Sequence, residues 1–226
     1  MAFRHTHPYQ PFLPSGADRL IVGTLPPPRF TTRELLPDDV DFCYGSRDGL
    51  LWPVLERVFN TRLTYASTEK AVEERKSLLT SNGIGVYDMV ECAIREKIDA
   101  SDIGMQSAEL RNLAGALKHL KQVKALLFTG GNSKNGPEYF FRQQLRTLGI
   151  PMNTIANEVP RIHRVEIGGR VIHTVSLTAP SGSANRAIGA MQSYKMKKGK
   201  DPGFTTLDFR VQQYTPYFTT RFWEDL

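Results

Sequence analysis

The fold is decided by the stretch Arg170-Val-Ile-His-Thr-Val-Ser-Leu-Thr-Ala-Pro-Ser-Gly-Ser-Ala-Asn185, in which an apolar run leads through small residues into the helical pattern of 186–194. We predict a strand, a loop and a helix in that order. Small residues let backbone N–H groups and short hydroxyls approach an anion closely, and a helix N-terminus adds a partial positive charge. The loop is therefore a predicted anion site, although serine-rich turns more often only cap a helix.

Strand and helix patterns alternate on both sides of this stretch. Buried strands are predicted at 19–23, 84–88 and 123–129, and helices at 51–59, 67–79, 108–120 and 137–149. This alternation predicts an α/β protein, a three-layer α/β/α sandwich with a mainly parallel central sheet. The residues at 1–226 are expected to form a single domain, because 226 residues with 40% hydrophobic content suit one sizeable core.

One antiparallel hairpin should interrupt the parallel order. Gly168-Gly169 is a two-residue turn between the apolar runs 162–167 and 170–175. This register pairs His163 with Thr174 and places the two hairpin histidines on opposite faces, so they cannot share a zinc ion. His5 and His7 have alternate-residue spacing near the terminus, and we expect no metal site there either.

Composition and charge limit the classes of function. The net charge of +6 favours a polyanionic partner, although a solvated basic face explains it equally well. Cys43 and Cys92 are too few for a disulfide scaffold, and no signal peptide or membrane span is recognisable. We therefore expect the protein in a reducing cytoplasm. We also expect a monomer. The chain has neither a P-loop nor a dinucleotide fingerprint, so we expect no ATP, NAD or other cofactor.

Ligands of parallel sheets bind beyond the carboxyl ends of the strands. That rule gathers the predicted loops onto one face, namely 23–30, Asp88, 130–136 and 179–185. Five short motifs occur in or beside them, in the order Gly23-Thr-Leu-Pro26, Tyr44-Gly45 with Trp52-Pro-Val-Leu55, Asn82-Gly-Ile-Gly-Val-Tyr-Asp88, Phe128-Thr-Gly-Gly-Asn132 and Pro180-Ser-Gly-Ser-Ala-Asn185. In this order the motifs resemble the uracil-DNA glycosylase superfamily, most nearly its hypoxanthine-DNA glycosylase-like branch, over about 20–194.

The resemblance implies a metal-independent, monofunctional DNA glycosylase, which flips a nucleotide out of DNA and hydrolyses its N-glycosidic bond. It implies a stacking face at Phe42 or Tyr44, a base-reading group at Asn132, and further pocket positions at Thr24 and Gly49. The predicted DNA-binding residues are Ser181, Ser183, Asn185, Arg186, Lys195, Lys197 and Lys198.

Bond cleavage builds positive charge on the sugar, so a nearby carboxylate should stabilise it or orient a water molecule. Asp48 is the preferred catalytic carboxylate, with Asp88 or Asp41 as alternatives. Without a gap, the family's catalytic Asn would fall at Gly49, and the first loop also lacks the Asp or Asn that other branches carry. The residues therefore leave open whether the usual chemistry is present.

The missing Asn also affects the expected substrate. Glycine at position 49 would leave room for a bulky modified pyrimidine in foreign DNA, in a defence role, whereas the family pattern favours a deaminated base such as uracil or hypoxanthine, in repair. A non-catalytic DNA-binding module on the same fold is the alternative, and a small-molecule phosphate-binding enzyme ranks last. The aromatic C-terminal extension at 204–226 should pack on the sheet or form a lid.

Overall fold

The computed structural model describes residues 2–97, 99 and 101–226. The strands are β1 (Phe3–Thr6), β2 (Arg19–Val22), β3 (Ile84–Val86), β4 (Val90–Arg95), β5 (Met105–Leu110), β6 (Ala125–Phe128), β7 (Met152–Ala156), β8 (Arg161–Ile167) and β9 (Arg170–Ser176). The α-helices are α1 (Pro28–Thr32), α2 (Leu51–Val58), α3 (Glu69–Ser81), α4 (Leu113–Ala116), α5 (Pro137–Thr147), α6 (Asn185–Ala190), α7 (Gln192–Lys200) and α8 (Thr206–Thr219).

The central sheet has six strands in the order β3-β2-β6-β9-β8-β7. The first four are parallel, and β8 and β7 add to them in antiparallel fashion. The predicted α/β class with a mainly parallel sheet is confirmed. Because the parallel strands end at one edge, the loops that follow β2, β3, β6 and β9 meet there.

Side-chain alternation along each central strand builds two apolar layers. In β2, Leu20 and Val22 contact the layer formed with α5, whereas Ile21 contacts the layer formed with α2 and α8. Both faces of the sheet are therefore covered, which explains why β2 and β6 are buried at every position.

The hairpin prediction is confirmed residue by residue. Gly168 and Gly169 have φ values of 60° and 70°, the left-handed conformation that a two-residue turn requires. His163 pairs with Thr174 across the hairpin, and Arg164 pairs with His173.

The predicted helix at 108–120 is wrong in its first part. Residues up to Leu110 form β5, which pairs with β4 in a second, three-stranded sheet of order β1-β4-β5. The helix that follows is the short α4, and the side chain of Asn112 caps it by accepting a hydrogen bond from the backbone N–H of Gly115. Pairing with a distant strand overrides a local helical pattern here, and neither β1 nor β4 was recognised from the sequence.

The predicted helix at 186–194 also differs from the structure. The chain leaves the helical conformation at Met191 (φ −70°, ψ 132°), so that two helices, α6 and α7, replace one.

The aromatic C-terminal extension packs on the sheet, which is one of the two roles predicted for it. Its helix α8 starts with a capping box of Thr205 and Asp208, and Tyr214 and Phe218 lie in the core beside α2.

His5 is a buried histidine of the second sheet. Its Nδ1 accepts a hydrogen bond of 2.7 Å from Nε of Arg95. Burial, and then the positive charge of Arg95, lower the pKa of His5 to about 4. The folded protein therefore keeps this imidazole neutral at pH values where the unfolded chain protonates it.

We predict that His5 makes folding sensitive to mild acid. As pH falls from about 6.5 to about 4, the unfolded chain gains a proton at His5 that the folded protein does not bind, which lowers the free energy of unfolding by about 3 kcal/mol at most. Urea unfolding at several pH values should show a smaller acid loss in His5→Gln than in the wild type. The exposed His119→Gln is the matched control, and equal pH dependence in all three proteins would contradict the prediction.

Candidate functional site

A cleft of about 710 Å³ opens at the carboxyl ends of β2, β3, β6 and β9. It is lined by 24–27, parts of 43–51, Asp88, 101–103, Thr129 and 179–183, together with His7 and Tyr9. The strand order thus brings together three of the loops that were predicted to lie on this face. From the glycine-rich loop at 130–136, only Ser133 lines the cleft among the described residues.

The buried carboxylate of Asp88 lies in this cleft and accepts three hydrogen bonds. Its Oδ1 accepts from the backbone N–H of Gly23 at 2.8 Å and from the hydroxyl of Tyr44 at 2.9 Å. Its Oδ2 is 3.0 Å from Nε2 of His7. Asp88 therefore acts as an acceptor in its contacts with Gly23, Tyr44 and His7.

The hydrogen bonds of His7 define its tautomer. The backbone N–H of Tyr9 donates to Nδ1 at 3.2 Å, so Nδ1 carries no proton. The ring N–H is therefore at Nε2, which donates a hydrogen bond to Asp88. No sequence pattern placed this histidine in the site, because β1 and its second sheet were not recognised.

The position of Tyr44 depends on two glycines. A Cβ at Gly45 would lie 1.8 Å from the carbonyl oxygen of Val40, and a Cβ at Gly23 would lie 2.2 Å from the Tyr44 hydroxyl. Tyr44 itself has a left-handed backbone with φ 57°. Burial and the neighbouring Asp88 raise its pKa well above the usual value, so the hydroxyl stays protonated and donates to Asp88.

Thr24 also lines the cleft, where its hydroxyl donates to Oδ1 of Asp102 at 2.6 Å. Burial raises the pKa of Asp102. Asp102 was not identified from the sequence, because it lies in a connection that carries no recognisable motif.

Asp48 lies at the rim of the cleft, with its side chain 71% exposed. Its carboxylate is 3.3 Å from Nη2 of Arg29, which in turn forms a two-point ion pair with the buried Asp39 at 2.7 and 2.8 Å. Gly49 follows on the same rim and pairs with Ser181 through a β-bridge. The loop that carries Asp48 is therefore attached to the serine loop, which we define as residues 179–185.

The serine loop is held from behind by Arg210 of α8. This buried guanidinium donates to the carbonyl oxygens of Ala179 at 3.0 Å and Ser181 at 2.7 Å, and to Oδ1 of Asn185 at 2.9 Å. Within the described part of the chain no carboxylate pairs with it. An uncompensated positive charge therefore lies directly behind a loop whose Ser181 and Ser183 hydroxyls are 2.9 Å apart at the cleft.

Three predicted residues lie away from the cleft. Phe42 is a core residue that packs edge-on against Phe12 at 5.7 Å, so its ring is not available as a stacking face. Asn132 is exposed and does not line the cleft. Asp41 forms an ion pair with Arg33 at 2.9 Å and accepts from the Tyr9 hydroxyl, outside the cleft lining.

The remaining predicted DNA-binding residues lie at the end of the serine loop or after it, and also outside the cleft lining. Asn185 and Arg186 begin α6 and are exposed, and the lysines of α7 are exposed as well. Two of these lysines make local contacts, Lys197 with Gln212 and Lys198 with the carbonyl oxygen of Pro202. Lys195 is exposed on the same helix.

The described residues contain neither a metal-binding cluster nor a membrane-spanning helix. No cluster of three or more His, Cys, Asp or Glu side chains could hold a metal ion in this part of the chain. Among residues 2–97, 99 and 101–226, no helix has the length and apolar character needed to cross a membrane.

The comparisons with known proteins concern the fold. No protein-family model and no curated protein matches the chain. Among solved structures, the chain is similar to a solution NMR structure of a candidate uracil DNA glycosylase from Methanosarcina acetivorans, with a TM-score of 0.52 and 14% sequence identity. The superposition covers 93% of this chain and 99% of that one. The two proteins therefore share a fold over almost their whole length.

We predict that Arg210 orders the serine loop. In Arg210→Met the apolar stem remains, but the hydrogen bonds to the loop are removed, so the free energy of unfolding should fall by about 1–3 kcal/mol. Hydrogen exchange should become faster at the backbone amides of 181–185. The matched control is Arg221→Met, whose exposed ion pair with Glu224 should matter little. Unchanged exchange in Arg210→Met would show that the loop orders itself.

Proposed function

We propose that this protein is a DNA glycosylase, which turns a damaged or modified base out of DNA and hydrolyses its N-glycosidic bond. The observation that carries the proposal is the buried, ionised Asp88 in a cleft bordered by the serine loop and its positive Arg210. The shared fold with the candidate uracil DNA glycosylase of Methanosarcina acetivorans supports the same class of activity.

The two ends of the cleft suit the two parts of a nucleotide. A base inside a duplex cannot be reached, so an enzyme that acts on it must grip the backbone and receive the extruded base in a pocket. Ser181 and Ser183 offer short hydroxyls to a phosphate, and Arg210 adds favourable charge behind them. The cleft continues from this loop down to Asp88 and Thr129, which gives an extruded nucleotide a place to enter.

The carboxylates of Asp88 and Asp48 would have different roles in the reaction. As the glycosidic bond breaks, the sugar becomes cationic, and an ionised group near it lowers the barrier. Asp88 would supply negative charge at a fixed position, because its three donors hold the carboxylate in place and occupy most of its acceptor capacity. Asp48 has an exposed carboxylate at the rim and would orient the attacking water and take its proton.

Water is the proposed nucleophile, as expected of a monofunctional enzyme without a metal. The described residues that line the cleft include no lysine, whose amine would otherwise attack the sugar carbon. The base itself is either a deaminated one or a bulky modified pyrimidine. The cleft volume of about 710 Å³ supports the bulky base. That substrate would assign the protein to defence against foreign DNA rather than to repair.

The test is a panel of end-labelled DNAs. Single strands and duplexes carry uracil, hypoxanthine, hydroxymethylcytosine or glucosylated hydroxymethylcytosine, and alkali treatment reveals abasic sites. Strand breaks at one base only would establish the activity and its substrate class. DNA that stays intact but is retained by the protein would support the non-catalytic binding module instead.

We predict that Asp88 contributes more to the reaction than Asp48. Asp88→Asn removes a fixed charge next to the cationic sugar and should lower kcat by about 10²-fold or more. Asp48→Asn leaves the charge of Asp88 in place but weakens the activation of water, so it should lower kcat by about tenfold to 10²-fold. Asp41→Asn, outside the cleft lining, is the control and should keep the wild-type rate. Single-turnover rates on the duplex cleaved in the panel decide, and an unimpaired Asp88→Asn would remove Asp88 from the mechanism.

We also propose that the lysines of α7 contact the DNA backbone. Replacing Lys195, Lys197 and Lys198 by Gln should weaken binding and flatten the slope of log K against log salt concentration by about 0.9 for each phosphate that the variant no longer neutralises. The matched control replaces Lys118, Lys121 and Lys124, which are exposed and precede the amino end of β6, opposite the cleft. A slope that changes equally in both triple variants would indicate only a general charge effect.

A further inference from the structure

Asp102 is a third carboxyl group of the cleft, with no role in the chemistry assigned to Asp88 and Asp48. It begins the 3₁₀ turn Asp102–Gly104 between β4 and β5. The side chain of Asn135 fixes this turn by donating to the carbonyl oxygens of Asp102 at 3.0 Å and Met105 at 2.8 Å. The Asp102 side chain is therefore held in place at the cleft wall.

The hydrogen bonds of Asp102 differ from those of Asp88. Only the Thr24 hydroxyl bonds to its carboxyl group among the described residues, and it donates to Oδ1. Oδ2 is left without a described partner on a residue that lines the cleft. A proton on Oδ2 would therefore be free to bond to a ligand, while Oδ1 keeps its bond to Thr24.

Burial, rather than the charged groups nearby, favours the neutral form of Asp102. Arg95 is the nearby cation, but its guanidinium bonds to His5 and the carbonyl oxygen of Ser101 and forms an ion pair with Asp99 at 3.6 Å. Asp88 carries negative charge in the same cleft. Burial, reinforced by Asp88 and opposed by Thr24 and Arg95, raises the pKa of Asp102. A carboxyl group that its surroundings keep protonated is suited to act as a general acid.

We propose that Asp102 is the general acid that protonates the departing base, an inference that rests on the proposed glycosylase activity. The bond between the sugar carbon and the base nitrogen breaks, its electron pair goes to the base, and the Asp102 proton passes to an acceptor nitrogen or oxygen of that base. Water adds to the sugar carbon and gives its proton to Asp48, from which it returns to Asp102 through solvent. The products are a neutral base and an abasic sugar.

This role requires an acceptor atom on the base. The extruded base must present a lone pair to Asp102, as the ring nitrogen or carbonyl oxygen of a cytosine-type pyrimidine does. Thr24 acts as a positioning residue, since its hydroxyl holds Oδ1 and stabilises the ionised form of Asp102.

The experiment measures single-turnover rates from acid to alkaline pH on the duplex that the wild type cleaves in the panel. The wild-type rate should fall on the alkaline side as Asp102 loses its proton. Asp102→Asn keeps a hydrogen-bond donor but no transferable proton, so its rate should be about 10²- to 10⁴-fold lower and lose this alkaline fall. In Thr24→Val the alkaline fall should move to higher pH, because the hydroxyl no longer stabilises the carboxylate.

The control is Glu96→Gln, an exposed acid at the end of β4 that should keep the wild-type rate and profile. Asp102→Asn with the wild-type rate and profile would overturn the proposal while leaving the glycosylase activity intact. If no DNA of the panel is cleaved by the wild type, the proposed function fails and this inference fails with it. Should Asp102→Asn not fold, by urea unfolding, Thr24→Val decides, and an unshifted profile overturns the proposal.

Discussion

Three hydrogen bonds to the carboxylate of Asp88 join segments that are far apart in the sequence. His7 follows β1, Gly23 follows β2, Tyr44 comes from a loop before α2, and Asp88 itself follows β3. Each donor is held by structure of its own, since Tyr44 needs Gly45 beside it and His7 needs the second sheet. A buried carboxylate without a countercharge is costly unless donors surround it, so this site exists only when both sheets and the loop have formed. Folding and assembly of the cleft are therefore the same event.

The core of the fold could be predicted because its signals are local. Apolar runs on both sides of Gly168-Gly169 fix the register of the hairpin. Short apolar runs also predict the positions of the parallel strands. The second sheet could not be predicted, because the partner of β5 is the distant strand β4, and a short amphipathic run is ambiguous between strand and helix. In the site, the motif residues Thr24, Tyr44 and Ser181 line the cleft. Phe42 lies in the core instead, and the sequence could not show this because phenylalanine suits a core and a pocket equally well. His7 and Asp102 were missed because both lie in or beside that unrecognised sheet.

The C-terminal helix links stability to the site. Tyr214 and Phe218 fix α8 against the sheet, and Arg210 on the same helix bonds to the serine loop. The hydrogen bonds of Arg210 to carbonyl oxygens stabilise the loop, but no carboxylate among the described residues neutralises its buried charge. The arrangement therefore favours an anion at the loop, because a bound phosphate would supply the missing negative charge. An aromatic extension outside the motif-bearing part of the chain thereby contributes to the predicted anion site.

The charged groups at the rim of the cleft differ from those in its interior. At the serine loop its rim has hydroxyls backed by Arg210, and Asp48 on the same rim pairs with Arg29, whereas its interior has the carboxyls of Asp88 and Asp102. In the proposed function a phosphate would be attracted to the serine loop and repelled by Asp88, so a nucleotide would enter with its base and sugar first and its phosphate outside. Negative charge in the interior does not strengthen the binding of a neutral base. It does stabilise the sugar, which becomes cationic as its bond to the base breaks. The same charge pattern that orients the nucleotide would thus stabilise the transition state more than the bound substrate.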